Sequence, residues 1–221
     1  MLRFQDSLSA TLFIGYPVHG AAREPDKTRI RQSQFRFGRK HMRNVQKSIL
    51  DAVLEIHPPP KALLDVGCGD GFFTRALSSS LPSVVITALD LSFPKYLAGY
   101  TGIRFVEGRV EKLPFDSGSF DVVTASLSMH HWDDKKQGIS EIYRVLRGNG
   151  HIIIGDPLLQ GWLNNPLLGW LAQKIDRGVF ATTQEALVYL ENAGFESANV
   201  QIVPHSLRSL FLITAAKPSF T

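Results

Sequence analysis

Apolar positions in this chain fall into short buried runs separated by helical stripes. Residues 62–66, 84–90, 103–107, 121–126 and 152–154 have the length and apolar content of buried strands, each bounded by turn or breaker residues. From about His41 to Ile56 the apolar positions Val45, Ile49, Ala52, Val53 and Ile56 recur at helical spacing. His57-Pro58-Pro59-Pro60 stops that helix, because proline lacks an amide donor and restricts the residue before it. Residues 72–77 read as a helix closed by Ser78-Ser79-Ser80-Leu81-Pro82. Asp133 is the expected N-cap of another, running to about Leu146 with Ile139, Ile142, Tyr143 and Leu146 turned inward. Gly148-Asn149-Gly150 then reads as a turn into the fifth strand. Thr182-Thr183-Gln184-Glu185 carries a Thr-x-x-Glu capping box for a helix ending before Gly194, and closing strands are expected at 198–203 and 210–215. Strands alternating with helices give an α/β domain: a mostly parallel sheet, right-handed crossovers, and ligands at the carboxyl ends of its strands.

Composition adds little to that picture, whereas charge adds a segment. At 221 residues, with 44% hydrophobic and 20% charged side chains, the chain suits one globular domain with embellishments. Residues 1–40 show no sustained period and several breakers, including Gly15, Pro17, Gly20 and Pro25. Residues 1–50 hold ten Lys/Arg against three Asp/Glu, a local +7 within a net +4, so the rest of the chain carries −3. We therefore expect a basic arm or cap over 1–44 and the main domain over 45–221. Arg23, Lys27, Arg29, Arg31, Arg36, Arg39, Lys40, Arg43 and Lys47 fit either a footprint for an anionic partner or a solvated arm. Phe35 and Phe37, interleaved with the arginines, can stack on bases or anchor the arm to the core. No apolar run reaches the ~20 residues of a membrane span. The stretch from Leu8 to Ile14 is interrupted and lacks a small-residue cleavage site, which argues against a signal peptide and makes a cytoplasmic location the expectation.

Leu63-Leu64-Asp65-Val66-Gly67-Cys68-Gly69-Asp70-Gly71 is an apolar strand ending in an acid, then three glycines at alternate positions leading into a helix. Glycine permits backbone angles and close approaches that a Cβ blocks, and the helix start offers unpaired N–H groups, so such a turn can hold a ligand on bare backbone. It is also compatible with an ordinary strand-to-helix turn. The dinucleotide fingerprint needs a glycine where Phe72 stands, which weakens a nicotinamide reading. Asp90 lies 19 residues beyond Gly71 at a strand end, where a carboxylate can accept both hydroxyls of a ribose or cap the next helix. Cys68 is the only cysteine, which excludes a disulfide framework and a cysteine-built metal site; it reads as a small space-filling residue more than a reactive thiol.

The acidic-x-Gly-x-Gly-x-Gly pattern resembles the first motif of the class I S-adenosylmethionine-dependent methyltransferases. Four further stretches come after it in order: Ala88-Leu89-Asp90-Leu91-Ser92, residues 106–115 ending in Glu111-Lys112-Leu113-Pro114-Phe115, residues 119–123, and residues 141–150. Together they resemble the type 11, ubiquinone/menaquinone-biosynthesis-like methyltransferases over roughly residues 45–215. The resemblance implies a Rossmann-like fold with a seven-stranded mostly parallel sheet and helices on both faces. It also implies S-adenosylmethionine as cofactor and S-adenosylhomocysteine as product. The cofactor-binding residues it points to are Asp65, Gly67, Cys68, Gly69, Gly71, Asp90, Leu91, Arg109, Val110 and Ser126. The family usually has Gly-Asp-Ala before Glu-x-Leu-Pro-Phe, the aspartate receiving the adenine amino group; here Arg109 stands there, and arginine offers donors only. The link after Asp90 holds Pro94 and Gly99 and is short, so its crossover helix is expected to be stunted.

Ala125-Ser126-Leu127-Ser128-Met129-His130-His131-Trp132 leaves the fourth strand toward the methyl group that the resemblance implies. His130 or His131 can take a proton from an acceptor hydroxyl, or bond a backbone carbonyl structurally. Two adjacent histidines do not make a metal site, and none is expected. Residues 157–181 form an apolar insertion, with Trp162 and Trp170, that serves either as a wall over the acceptor together with Phe37, or as packing or a dimer contact. The expected activity is methyl transfer to a small, partly apolar acceptor. An RNA methyltransferase using the arm, and a non-catalytic binding or scaffold protein that kept the fold, are the alternatives.

Overall fold

This computed structural model describes residues 44–94, 96–97, 100–157, 182–203 and 210–219. Among the described residues seven segments pair as strands: β1 (Ala62–Val66), β2 (Val85–Asp90), β3 (Ile103–Glu107), β4 (Phe120–Ser126), β5 (Leu146–Pro157), β6 (Glu196–Val203) and β7 (Leu210–Ala216). They form one sheet in the order β3-β2-β1-β4-β5-β7-β6. Strands β1 to β5 run parallel, and β7 lies antiparallel between β5 and β6. The direction of crossover changes between β1 and β4. Their adjacent carboxyl ends are therefore where an open α/β sheet leaves a crevice.

Side chains alternate across the sheet and feed two cores. Leu63, Val122, Ile153 and Leu212 face one side, where α1 (residues 44–54) brings Ile49 and Val53, and α2 (Phe72–Ser80) brings Phe73 and Leu77. Leu64, Val123, Ile152 and Phe211 face the other, covered by Ile139 and Ile142 of α3 (Lys135–Val145) and Leu190 of α4 (Thr183–Ala193). All of these apolar side chains are essentially excluded from water, and each contributes about 1.5–3 kcal/mol on burial. Helix α1 reaches the sheet at Gly155, where a Cβ would come within 2.6 Å of Val45 Cγ2.

Element identities match the sequence expectation, and several boundaries differ for local reasons. Asp134, not Asp133, caps α3: its carboxylate accepts the Gln137 amide at 2.9 Å, while the Asp133 carboxylate is held by Arg109. The helix stops at Val145, and Leu146 opens β5. Its buried stripe is Gly138, Ile139, Ile142 and Val145, with Tyr143 at the margin, edge-on to Phe195 at 5.1 Å. Gly148-Asn149-Gly150 makes no chain reversal. β5 pairs with β4 at Leu146 and again from His151, so the residues between form a bulge within one long strand. Asn149 takes φ 62° there, and its amide donates to the Lys217 carbonyl at 2.9 Å. The capping box is formed as expected: Thr182 Oγ1 accepts the Glu185 amide and Glu185 accepts the Thr182 amide, with Gly194 closing the helix at φ 95°. Between β2 and β3 the described residues hold a short 3-10 turn at 96–97 and a turn at 101–102, in keeping with the stunted crossover. Among the described residues no helix is long and apolar enough to cross a membrane.

Candidate functional site

The glycine turn is fixed from three sides. The amides of Gly67 and Cys68 both donate to the Leu89 carbonyl, at 2.7 and 3.1 Å, tying the turn to β2. Gly67, Gly69 and Gly71 all have φ between 56° and 72°, the left-handed region that costs other residues about 1–2 kcal/mol. A Cβ at Gly67 would lie 2.3 Å from Ser128 Cβ, and one at Gly71 would press on Leu97 and Phe105. Gly69 differs, because nothing lies within 4 Å of where its side chain would be. Two of the three glycines allow packing, and the third leaves bare backbone facing open space.

Asp65 lies under this turn and does not face the crevice. It is 2% exposed, and its two oxygens accept Thr74 Oγ1 at 2.6 Å and Thr124 Oγ1 at 3.0 Å, joining β1 to α2 and β4. Its expected direct contact with a ligand is thus replaced by support of the turn. Burial lifts its carboxyl to about 6; the two hydroxyls act against that shift and Asp90 adds to it. The native state therefore holds this proton more tightly than the unfolded chain. Stability should fall as pH rises from about 4 to 6 and level off above, a cost of roughly 3 kcal/mol at neutral pH. The buried Asp156, whose carboxyl is also raised by burial, contributes with the same sign. Thermal melts between pH 4 and 7 should show the fall in the wild type and a shallower one in Asp65→Asn; parallel curves would contradict this account. Cys68 also turns inward, into the core beside Phe73, and burial with the Asp65 and Asp90 carboxylates pushes its thiol far up. It offers the crevice no side chain.

Asp90 ends β2 beside the turn. One oxygen accepts the Gly69 amide at 2.8 Å and the other the Ser92 amide at 3.4 Å, so the acid and the open glycine form one cradle. Leu91 comes next, 62% exposed despite being apolar. Across the crevice, the Arg109 side chain bonds the Asp133 carboxylate and lies 3.5 Å from Glu111 Oε2. It is thereby committed to the segment before α3, which corrects its assignment to the cofactor set. Val110 is buried against Gly138 and leaves only its backbone for a ligand. The Leu113-Pro114-Phe115 segment is clamped from α3: Glu141 accepts the Leu113 amide at 2.8 Å, and Arg144 donates to the carbonyls of Phe115 and Leu113 at 2.8 and 3.0 Å. The clamp joins two segments of the chain about 30 residues apart, the first before α3 and the second within it.

The carboxyl end of β4 closes the crevice. Ser126 Oγ is buried and has no hydrogen-bond partner among the described residues. Leu127 adopts φ 53°, unusual for a branched side chain, with its amide donating to the Gly155 carbonyl at 2.8 Å. That bend seats Ser128 on Gly67, with Oγ donating to the Val66 carbonyl at 3.0 Å. The chain then enters a short 3-10 turn, Met129–His131. His130 is 4% exposed, and its Nδ1 lies 2.8 Å from Asp156 Oδ1 while its amide donates to Asp156 Oδ2 at 2.9 Å. The ring of His131 packs on that of His130 at 3.9 Å. Asp156, 1% exposed at the end of β5, is a site residue that sequence reasoning misses. An acid closing the run Ile152-Ile153-Ile154-Gly155 carries the same strand-end signal that marks Asp90. The expected substrate residues Phe37 and Trp162, with most of the arm and residues 158–181 of the insertion, lie outside the described residues.

Residues 64–154 match the family model described as a methyltransferase domain. The match runs from within β1 to within β5 and includes the glycine turn and Asp90. Residues 64–154 belong to the class I S-adenosylmethionine-dependent methyltransferases, in their type 11 family. Among curated relatives, the demethylmenaquinone methyltransferase of Chlorobaculum tepidum is 38% identical over 110 residues, 48% of this chain and 44% of that protein. The chloroplastic 2-methyl-6-phytyl-1,4-hydroquinone methyltransferase 1 of Oryza sativa subsp. japonica is 27% identical over 146 residues, 63% of this chain and 42% of that protein. The aligned region thus spans less than half of each of these two relatives. In fold, the domain superposes on a possible histamine N-methyltransferase from Thermotoga maritima with TM-score 0.65 at 23% identity, over 86% of this chain and 97% of that one. For this methyltransferase domain the Rossmann-like architecture expected from sequence is therefore the observed one.

The residues present fit the cofactor that the family implies. Gly69 leaves backbone open beside an acid, and the buried Ser126 hydroxyl is an unsatisfied donor at the same end of the sheet. An unmade hydrogen bond of this kind costs about 1–3 kcal/mol until a ligand or water supplies the partner.

Proposed function

We propose that this protein binds S-adenosylmethionine between the glycine turn and the ends of β2 and β4, and transfers its methyl group to a small, partly apolar acceptor. The observation that carries the reading is the pairing of Gly69 with Asp90: open backbone at a left-handed glycine, its amide bonded to a carboxylate with acceptor capacity to spare. Asp90 accepts the two ribose hydroxyls, Leu91 covers one adenine face, and the Val110 backbone meets the ring edge. Gly67, Ser126 and Ser128 line the methionine end.

When bound, the cofactor supplies a methyl group on a positively charged sulfur. The chain's contribution is to align the acceptor with that methyl and to exclude water; well-oriented reactants alone lower such barriers by about 7–11 kcal/mol. The serine-lined, uncharged end of β4 suits a reaction in which positive charge disappears, since a fixed carboxylate there would favour the charged reactant over the transition state. His130 or His131 takes a proton from an acceptor hydroxyl. The named relatives, which act on a demethylmenaquinone and a phytyl hydroquinone, support an acceptor with a hydroxylated ring and an apolar tail.

The test is release of S-adenosylhomocysteine from the full chain with S-adenosylmethionine and a panel of 1,4-dihydroxynaphthalenes and alkylated hydroquinones. Release that depends on the acceptor is expected. Cofactor binding without release on any acceptor would favour the non-catalytic alternative.

A further inference from the structure

We infer that Gln46 of α1 and Ser126 of β4 form a polar pair that binds the acceptor through a ring hydroxyl. The inference rests on the proposed methyl transfer and names side chains that meet the acceptor. Alternation along β4 puts the Ser126 side chain on the face that Val122 and Thr124 share, the face covered by α1 and α2. Its partner on the next strand is Gly155, one strand spacing away, about 4.8 Å. Gly155 has no side chain, and α1 uses the space: a Cβ there would come within 2.6 Å of Val45 Cγ2 and 3.0 Å of Ile49 Cδ1. The first turn of α1 therefore lies over the carboxyl ends of β4 and β5, next to Ser126.

Gln46 follows Val45 in that turn. Helical spacing places it with Val45, Ile49 and Val53 on the inward stripe of α1, and it is only 7% exposed. No hydrogen bond joins its carboxamide to another described residue, and Ser126 Oγ is likewise buried without a partner among them. Buried polar groups are ordinarily paired, so two left open at one end of one sheet face mark a place for a ligand group between them. A carboxamide and a serine hydroxyl each donate and accept, which complements a phenolic O–H that donates to one and accepts from the other. A ring without that hydroxyl would leave both unpaired, and a site of this kind discriminates against it. Placement suits the acceptor. Ser126 stands between Thr124, bonded to Asp65 beneath the glycine turn, and Ser128, which touches Gly67, so the pair flanks the methionine end of the proposed cofactor site.

The test is calorimetric binding of 1,4-dihydroxynaphthalene and of its dimethyl ether, under argon, to the full chain saturated with S-adenosylhomocysteine. The wild type should bind the diol at least about tenfold more tightly than the ether. Gln46→Met keeps the length and apolar packing of the side chain and removes its hydrogen bonds. It should weaken the diol about tenfold and leave the ether within about twofold, with S-adenosylmethionine affinity unchanged. Ser126→Ala should lose selectivity in the same way, while the ligand-free protein melts no lower than the wild type, because alanine removes an unpaired buried hydroxyl. A wild type that binds both naphthalenes equally, or neither, overturns the inference. So does a Gln46→Met protein with wild-type selectivity, or one whose loss falls on S-adenosylmethionine and not on the diol. If Gln46→Met does not fold, Ser126→Ala decides: retained selectivity, or a melting temperature several degrees lower, overturns the inference. Failure of the wild type to bind S-adenosylmethionine and S-adenosylhomocysteine would instead remove the underlying methyl-transfer reading.

Discussion

Replacing Gly67 by alanine should destabilise the protein by about 2–5 kcal/mol, because two penalties coincide at one atom. The residue sits at φ 72°, which costs an alanine about 1–2 kcal/mol. Its new methyl would lie 2.3 Å from Ser128 Cβ, so the bend at Leu127 has to open, an overpacking cost of typically 1–3 kcal/mol. Ser128 would also be pushed off the Val66 carbonyl. For a chain of this size the sum lowers the melting temperature by roughly 5–15 °C. Gly69→Ala is the informative partner. It carries the same backbone penalty at φ 56° but meets nothing within 4 Å, so its thermal loss should be smaller while its methyl occupies the open face of the cradle. Differential scanning calorimetry compares the two. If Gly67→Ala melts no lower than Gly69→Ala, the packing of β4 on the glycine turn is not what shapes this site.

The second large effect belongs to Asp90→Ala, and it falls on binding more than on folding. Asp90 is only part-buried, and its loss frees the Gly69 amide toward solvent, a modest structural change. A hydrogen bond to a charged group contributes about 1.5–3 kcal/mol, so losing two ribose hydroxyls weakens cofactor binding by roughly 10²- to 10⁴-fold. Asp90→Asn keeps an acceptor for Gly69 but loses the charge, and should fall between the two.

Which parts of the site were legible in the sequence depends on what each residue interacts with. Gly67, Gly69, Gly71 and Asp90 were readable because strand, turn and acid are near neighbours along the chain and their spacing is dictated by one βαβ unit. Asp65 and Cys68 both turn away from the crevice: alternation along β1 points Asp65 to the face where Thr74 of α2 engages it, and the glycine turn beyond the strand sends Cys68 into the core beside Phe73. Arg109 misled because its partner, Asp133, lies 24 residues away and competes for the same side chain; that partnership also moved the helix cap to Asp134. Asp156 was missed although it stands at a strand end as Asp90 does, since its partner His130 comes from a turn 26 residues earlier. Gly148-Asn149-Gly150 has turn chemistry, and only the pairing of β5 with β4 and β7 shows that it bulges instead of reversing. Local rules thus recovered the elements and the meeting of the glycine turn with Asp90, whereas contacts between distant segments decided which way the neighbouring residues face.

The most direct test of the central claim is a calorimetric titration of the full chain with S-adenosylmethionine, run in parallel on Asp90→Ala. One-to-one binding by the wild type that is lost or weakened at least about a hundredfold in the variant is the predicted result. No binding by the wild type, or equal binding by both, would contradict the account.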